Sequence, residues 1–237
     1  MHQTMSPLAQ SDLAARDKIY HAFVEYLSVC WRQEGPLKGL TFAAKDMFVF
    51  EDRQPYCGLE HPPALGLQGT ASVLREVLDR GATFRGFTTL TALAYEPSGL
   101  NGNGSRPVNP WGQQWITGGS SSGSAVAVAA GLVDFAIGSD TAGSLRIPAQ
   151  ACGVASYKPS FGQLPLTGAM PLAPSLDCVG FLARHIEILS KIADVFVSHS
   201  SDDTGIAFLM SDCEPLCDAD IVTVSYTHLT LPMILLV

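Results

Sequence analysis

Hydrophobic and polar positions along this chain follow two rhythms, and the changes between them mark out its elements. Between Ser11 and about Cys30 the apolar residues Ile19, Phe23 and Leu27, flanked by Tyr20 and Val24, recur at helical spacing. They predict an amphipathic helix capped by Ser11 and stopped at Gly35-Pro36. The run LKGLTFAAKDMFVF then reads as a buried strand, with charge entering abruptly at Lys45 and Asp46, and the Gly- and Pro-rich residues 51–69 read as loop. Thr70 is expected to cap a second helix with Val73, Leu74, Val77 and Leu78 inward and Gly81 at its end. ATFRGFTTL reads as a strand, and the aperiodic stretch EPSGLNGNGSRPVNPWGQQW as a long loop, either functional or disordered.

Out of that loop comes GGSSSGSAVAVAAG, where glycine and serine give way to a helix of small residues ending at Gly131. The strand VDFAIG and a polar turn, SDTAGSLRIP, follow, and Ile188, Ile192 and Phe196 line one face of a helix over 184–196. Strands alternating with helices predict an α/β sheet covered on both sides. No segment repeats, and the stretch from about Gly205 to Val237, ending in SYTHLTLPMILLV, fits nothing before it.

The chain has 237 residues, 47% hydrophobic and 15% charged, with a formal net charge of −8. It can bury a sizeable core, and the acidic balance disfavours a nucleic-acid backbone as direct ligand. The six cysteines, Cys30, Cys57, Cys152, Cys178, Cys213 and Cys217, form no CxxC pair, and the one close pair, Cys213 and Cys217, has no histidine at ligand spacing, so no metal site is expected. The start lacks the basic cap and apolar run of a signal peptide, and no run of about 18 apolar residues is present. A cytoplasmic protein with reduced thiols, away from any membrane, is the expectation.

Two glycine-bearing loops could do chemistry: Gly118-Gly119-Ser120-Ser121-Ser122-Gly123-Ser124, and Gly138-Ser139-Asp140-Thr141-Ala142-Gly143-Ser144. Each could turn several backbone N–H groups toward an anion or a developing oxyanion. No lysine follows either run as a P-loop requires, and GNGS at 102–105 lacks a dinucleotide-binding pattern. Serine chemistry fits better, but no histidine lies in either loop. Lys45, among apolar neighbours at a strand end, is a candidate base, because burial disfavours its ammonium form. The alternative is a lysine simply paired with Asp46 or another carboxylate.

From about Leu37 to Val197 these residues resemble the amidase signature family, in particular its indole-acetamide hydrolase and glutamyl-tRNA amidotransferase A-subunit types. The resemblance is carried by GLTFAAKD, by GGSSSGSAVAVAAGLVDFAIGSDTAGSLRIPAQACGV and by Lys158-Pro159-Ser160, in order and at matching separation. It implies a mixed β-sheet covered by helices on both faces. It also implies a catalytic triad of nucleophile Ser144, bridging Ser120 on a cis peptide, and base Lys45. Thr141, Ala142, Gly143 and Ser144 would supply the oxyanion hole, with Ser121, Asp140 and Arg146 in support and no metal or organic cofactor. The substrate implied is a small carboxamide.

Ala142 and Ser122 stand where many members carry glycine. Members also continue well beyond the matched stretch, so an incomplete signature domain over 1–204 and a non-family tail over 205–237 are expected, with possible self-association through a truncated edge. Two other roles fit the same family: the A-subunit of a tRNA-dependent amidotransferase, and a non-catalytic scaffold reusing the fold.

Overall fold

The computed structural model describes residues 3–4, 7–101, 106–196 and 219. Two compact units divide the chain, Met1–Ser198 and His199–Val237, and the first carries everything below. The tail beyond 205, Ala219 apart, and the GNGS segment at 102–105 lie outside the described residues.

Seven strands form one sheet: β1 (Gln3–Thr4), β2 (Phe23–Cys30), β3 (Thr41–Lys45), β4 (Thr83–Thr88), β5 (Phe135–Asp140), β6 (Ala155–Tyr157) and β7 (Cys178–Ala183). Their order is β1-β2-β4-β3-β5-β7-β6. At the centre β3 runs parallel to both β4 and β5, while the other pairings are antiparallel. The sheet is therefore mixed. Among the described residues five α-helices pack around it: α1 (Pro7–Asp17), α2 (Ser72–Asp79), α3 (Ser122–Ala129), α4 (Arg146–Cys152) and α5 (Ile186–Phe196). Among the described residues no helix is long and apolar enough to cross a membrane.

Strand alternation sorts large residues to one face and small ones to the other. Phe42, Phe84, Phe135 and Phe181 share a buried cluster with Val73, Leu74, Val77 and Leu78 of α2 and with Leu189 and Ile192 of α5. The intervening Ala43 and Ala136 pack instead with Ala125, Val126 and Val128 of α3, and with Leu13 of α1 and Ala149 of α4. Small residues on both sides let α3 lie close to the sheet. Gly123 shows how close, since a Cβ there would sit 2.4 Å from the carbonyl oxygen of Ala22 and 2.6 Å from the amide nitrogen of Thr89. A Cβ on Gly138 of β5 would likewise meet Ser121 Oγ at 2.7 Å. The start of α3 is thereby pressed onto the carboxyl ends of β3, β4 and β5.

One predicted element is corrected. The helix expected from Ser11 to Cys30 ends at Asp17, with Ser11 inside it, and the chain re-emerges as β2. Buried Asp17 makes the break: its carboxylate accepts the backbone N–H groups of Ala22 and Phe23 and the hydroxyl of Tyr26. The aromatic and β-branched residues Phe23, Tyr26 and Val29 then pair with β4 rather than continue a helix. Thr70 does not cap α2 either. Its hydroxyl accepts from the Glu51 amide, and Ala71 occupies the cap position without a side-chain bond. The inward face of α2, the loop over 51–69 and the helix ending before Gly131 all take their expected form. Helix α4 and strands β6 and β7 go beyond the elements expected from the pattern; Pro148 sits in the first turn of α4, where its missing N–H costs nothing.

Candidate active site

Lys45 ends β3 with its side chain fully buried. Its Nζ lies 2.7 Å from Ser120 Oγ and 2.8 Å from Ser139 Oγ. No carboxylate among the described residues lies within ion-pair distance of it. Asp46, the partner an ordinary structural lysine would take, turns away to Arg53 Nη1 at 2.7 Å and accepts the Tyr56 amide. Burial pushes the Lys45 pKa down from 10.5 to about 7, against the weaker opposing pull of Asp140, Cys57 and Asp177. A lysine so placed is substantially neutral near neutral pH and has a lone pair to offer.

Ser120 is buried just before α3, and the Gly119–Ser120 peptide is cis, as the resemblance implies. Its carbonyl accepts the Thr91 N–H, and the Gly119 N–H donates to the Pro97 carbonyl at 2.6 Å. The neighbouring Ser121 ties the two serine loops together: its N–H donates to the Ser144 carbonyl at 3.2 Å and its hydroxyl to the Ser139 carbonyl at 3.3 Å.

Ser144 lies between the end of β5 and the start of α4, half-buried, and lines a pocket of about 480 Å³ together with Tyr95, Pro97, Thr141, Ile147 and Leu172. Among the described residues Lys45 Nζ contacts Ser120 Oγ, and no hydrogen bond joins Ser120 Oγ to Ser144 Oγ. The turn before Ser144 wraps a carboxylate. Asp140 accepts the N–H groups of Gly143, Leu145 and Arg146 and a two-pronged contact from the Arg146 guanidinium, at 3.0 Å from Nε and 2.9 Å from Nη2. Burial alone would raise the pKa of Asp140, but these donors outweigh it and hold the carboxyl below its usual range.

Gly143 is therefore the one expected oxyanion donor whose N–H is already committed, at 2.8 Å, to Asp140. The amides of Ala142 and Ser144 have no such bond among the described residues, and both residues line the pocket. Two groups in the site go beyond those singled out from sequence. Ser139 is the second neighbour of Lys45 Nζ, and its place in the same loop as Ser144 is the available signal. Asp177 ties down Thr141, accepting its hydroxyl at 2.5 Å together with the N–H groups of Leu172 and Ala173. His185 follows the end of β7 at Ala183, which pairs with Phe135 at the far end of β5 from Ser144. Among the described residues no group of three or more His, Cys, Asp and Glu could hold a metal ion.

Known proteins give this arrangement a lineage. The chain is 40% identical over 188 residues to "Amidase 1" of Arabidopsis thaliana, covering 76% of this chain and 44% of that protein. It is 39% identical over 167 residues to "Translocon at the outer membrane of chloroplasts 64" of Pisum sativum, covering 68% of this chain and 28% of that protein. Among solved structures, the glutamyl-tRNA(Gln) amidotransferase A-subunit of Thermotoga maritima superposes with a TM-score of 0.71 at 29% identity, covering 84% of this chain and 44% of that one. The chain thus spans less than half the length of these relatives. The family model described as Amidase matches residues 18–217, past the boundary expected at 204, and this chain belongs to the amidase family.

Proposed function

We propose that this chain carries the catalytic centre of an amidase that hydrolyses a small carboxamide to a carboxylic acid and ammonia. The observation that carries the reading is the buried contact of 2.7 Å between Lys45 Nζ and Ser120 Oγ, with the Lys45 pKa lowered to about 7. Neutral Lys45 accepts the proton of Ser120, Ser120 accepts that of Ser144, and Ser144 Oγ attacks the carbonyl carbon. The last link closes when substrate is bound, as catalytic hydrogen bonds often do. The N–H groups of Ala142 and Ser144 receive the oxyanion; one such donor contributes about 3 kcal/mol in comparable sites. The proton returns through Ser120 to the amide nitrogen as the C–N bond breaks and ammonia leaves. Water then attacks the acyl-serine ester along the same relay, and the acid is released.

The role of an amidotransferase A-subunit, in which ammonia passes to a partner, draws support from the likeness to the Thermotoga protein. A scaffold role draws support from the chloroplast translocon relative, but it gives no reason for a lysine buried against two serines. A cytoplasmic location accords with the four free, buried cysteines of the described residues. Ammonia release from a panel of carboxamides, with and without Ser144→Ala, tests the hydrolytic reading. Loss of release in the variant is expected, and equal release by both proteins would overturn it.

A further inference from the structure

Lys45 Nζ meets two hydroxyls at once, Ser120 Oγ at 2.7 Å and Ser139 Oγ at 2.8 Å. A neutral amine carries a single lone pair beside its two N–H groups. Both hydroxyls therefore cannot donate to it, and one of them has to accept an N–H. If Ser120 passes its proton to Lys45, that acceptor is Ser139.

Ser139 holds a fixed position. It lies in β5, 4% exposed, with its backbone paired to Val179 of β7. Its N–H donates to Ser121 Oγ at 3.4 Å, and its carbonyl accepts the Ser121 hydroxyl at 3.3 Å. The Ser121 N–H in turn donates to the Ser144 carbonyl at 3.2 Å. Ser121 thus joins the residue that anchors the amine to the backbone of Ser144. Lys45 and Ser120 are themselves fully buried, so these contacts are made away from solvent.

We infer that Ser139 is a positioning residue, whose hydroxyl accepts an N–H of Lys45 and so aims the lone pair of the amine at Ser120. The inference rests on the Lys45–Ser120–Ser144 relay only in taking Ser120 as the source of the proton. Without Ser139 the amine turns among the staggered orientations about its C–N bond, of which only one presents the lone pair to Ser120. A loss of about threefold to tenfold in reactivity follows. The acceptor also acts on the charge, because a hydroxyl oxygen stabilises an ammonium more than a neutral amine. Burial already brings the Lys45 pKa to about 7, against the upward pull of Asp140, Cys57 and Asp177. Those groups, and Asp46 on Arg53, stay in place when Ser139 loses its hydroxyl. The midpoint should then fall further, by about half to one pH unit. A serine that merely packs the strand would leave it where it is.

Two readouts test this in the folded protein. Heteronuclear NMR of protein with Cε-labelled lysine follows Lys45, whose resonance is assigned by its loss in Lys45→Met. Fluorophosphonate labelling of Ser144 against pH follows the relay. Ser139→Ala should lower the NMR midpoint by about half to one pH unit and slow labelling at high pH by about threefold to tenfold. Ser139→Thr, which keeps the hydroxyl, should bring both back toward wild type. Ser120→Ala should slow labelling by at least ~10²-fold. An unmoved or raised midpoint in Ser139→Ala, or a Ser139→Thr protein that behaves like Ser139→Ala, would overturn the inference. So would a labelling loss in Ser139→Ala as large as that in Ser120→Ala, which would make Ser139 a proton carrier itself. If the midpoint falls as expected while Ser120→Ala is labelled at the wild-type rate, the relay reading fails and the hold of Ser139 on the amine stands.

Discussion

Replacing Lys45 with methionine keeps most of the buried volume and removes the titrating group, which makes the energetic consequence of its environment measurable without a substrate. In the unfolded chain the amine titrates near its ordinary 10.5, and in the folded protein at about 7. Between these values the unfolded state binds more protons than the native state, so wild-type stability rises with pH across this window. Each unit of difference is worth about 1.4 kcal/mol, so the fall from 10.5 to about 7 makes burial of the ammonium cost about 5 kcal/mol below pH 7, a cost that vanishes above pH 10.5. Methionine escapes that cost but gives up the contacts to Ser120 and Ser139, worth about 1 kcal/mol each. Lys45→Met should therefore be the more stable protein at pH 6, by about 2–3 kcal/mol, and the less stable one near pH 10. Urea unfolding of both proteins from pH 6 to 10 gives the difference, in which Cys57, Cys152 and other shared titrations largely cancel. A difference that changes by about 1.4 kcal/mol per pH unit within the window is expected. Parallel curves would refute the claim that Lys45 is held neutral by burial.

Two further perturbations probe what holds the serine loops in place. Gly123→Ala should lower stability by about 1–3 kcal/mol, because its Cβ would meet the backbone of Ala22 and Thr89 and lift α3 from the sheet; an unchanged melting temperature by calorimetry would contradict that packing. Asp140→Asn should destabilise the protein at pH 7 and by less toward pH 3. The depressed Asp140 pKa contributes stability in full above its ordinary value of 3.8 and loses it as pH falls through the folded value. A deficit independent of pH in acid denaturation would show that the carboxylate's charge is immaterial.

How much of this is legible in the sequence depends on whether a residue's role is local. The inward face of α2 follows from spacing alone, because Val73, Leu74, Val77 and Leu78 meet the sheet whatever their partners are. Ser120, Ser144 and Lys45 are legible as a set through their motifs, although periodicity says nothing of a contact across 75 residues of chain. Strand β2 reads as helix because residues 19–27 satisfy a helical period, while the pairing with β4 and the Asp17 break that override it are tertiary. The engagement of Gly143 by Asp140 is illegible for a related reason: a glycine in a polar turn reads as a free donor until the carboxylate that folds back on it is located. Asp177 lies 36 residues from Thr141, in a segment with no period at all, so nothing in the sequence pattern joins it to the site.

The central claim, that Ser144 is activated through Ser120 by a neutral lysine, is tested most directly by the pH dependence of fluorophosphonate labelling, with the adduct located by peptide mass mapping. The account predicts a single adduct on Ser144 whose formation rate rises with pH about a midpoint near 7, following deprotonation of Lys45. Ser144→Ala should abolish the adduct and Lys45→Met should slow it by at least ~10²-fold. Cys152→Ala should leave it intact, since burial holds that thiol up at about 12. An adduct on another residue, or a Lys45→Met protein labelled at the wild-type rate with the same pH profile, would contradict the account.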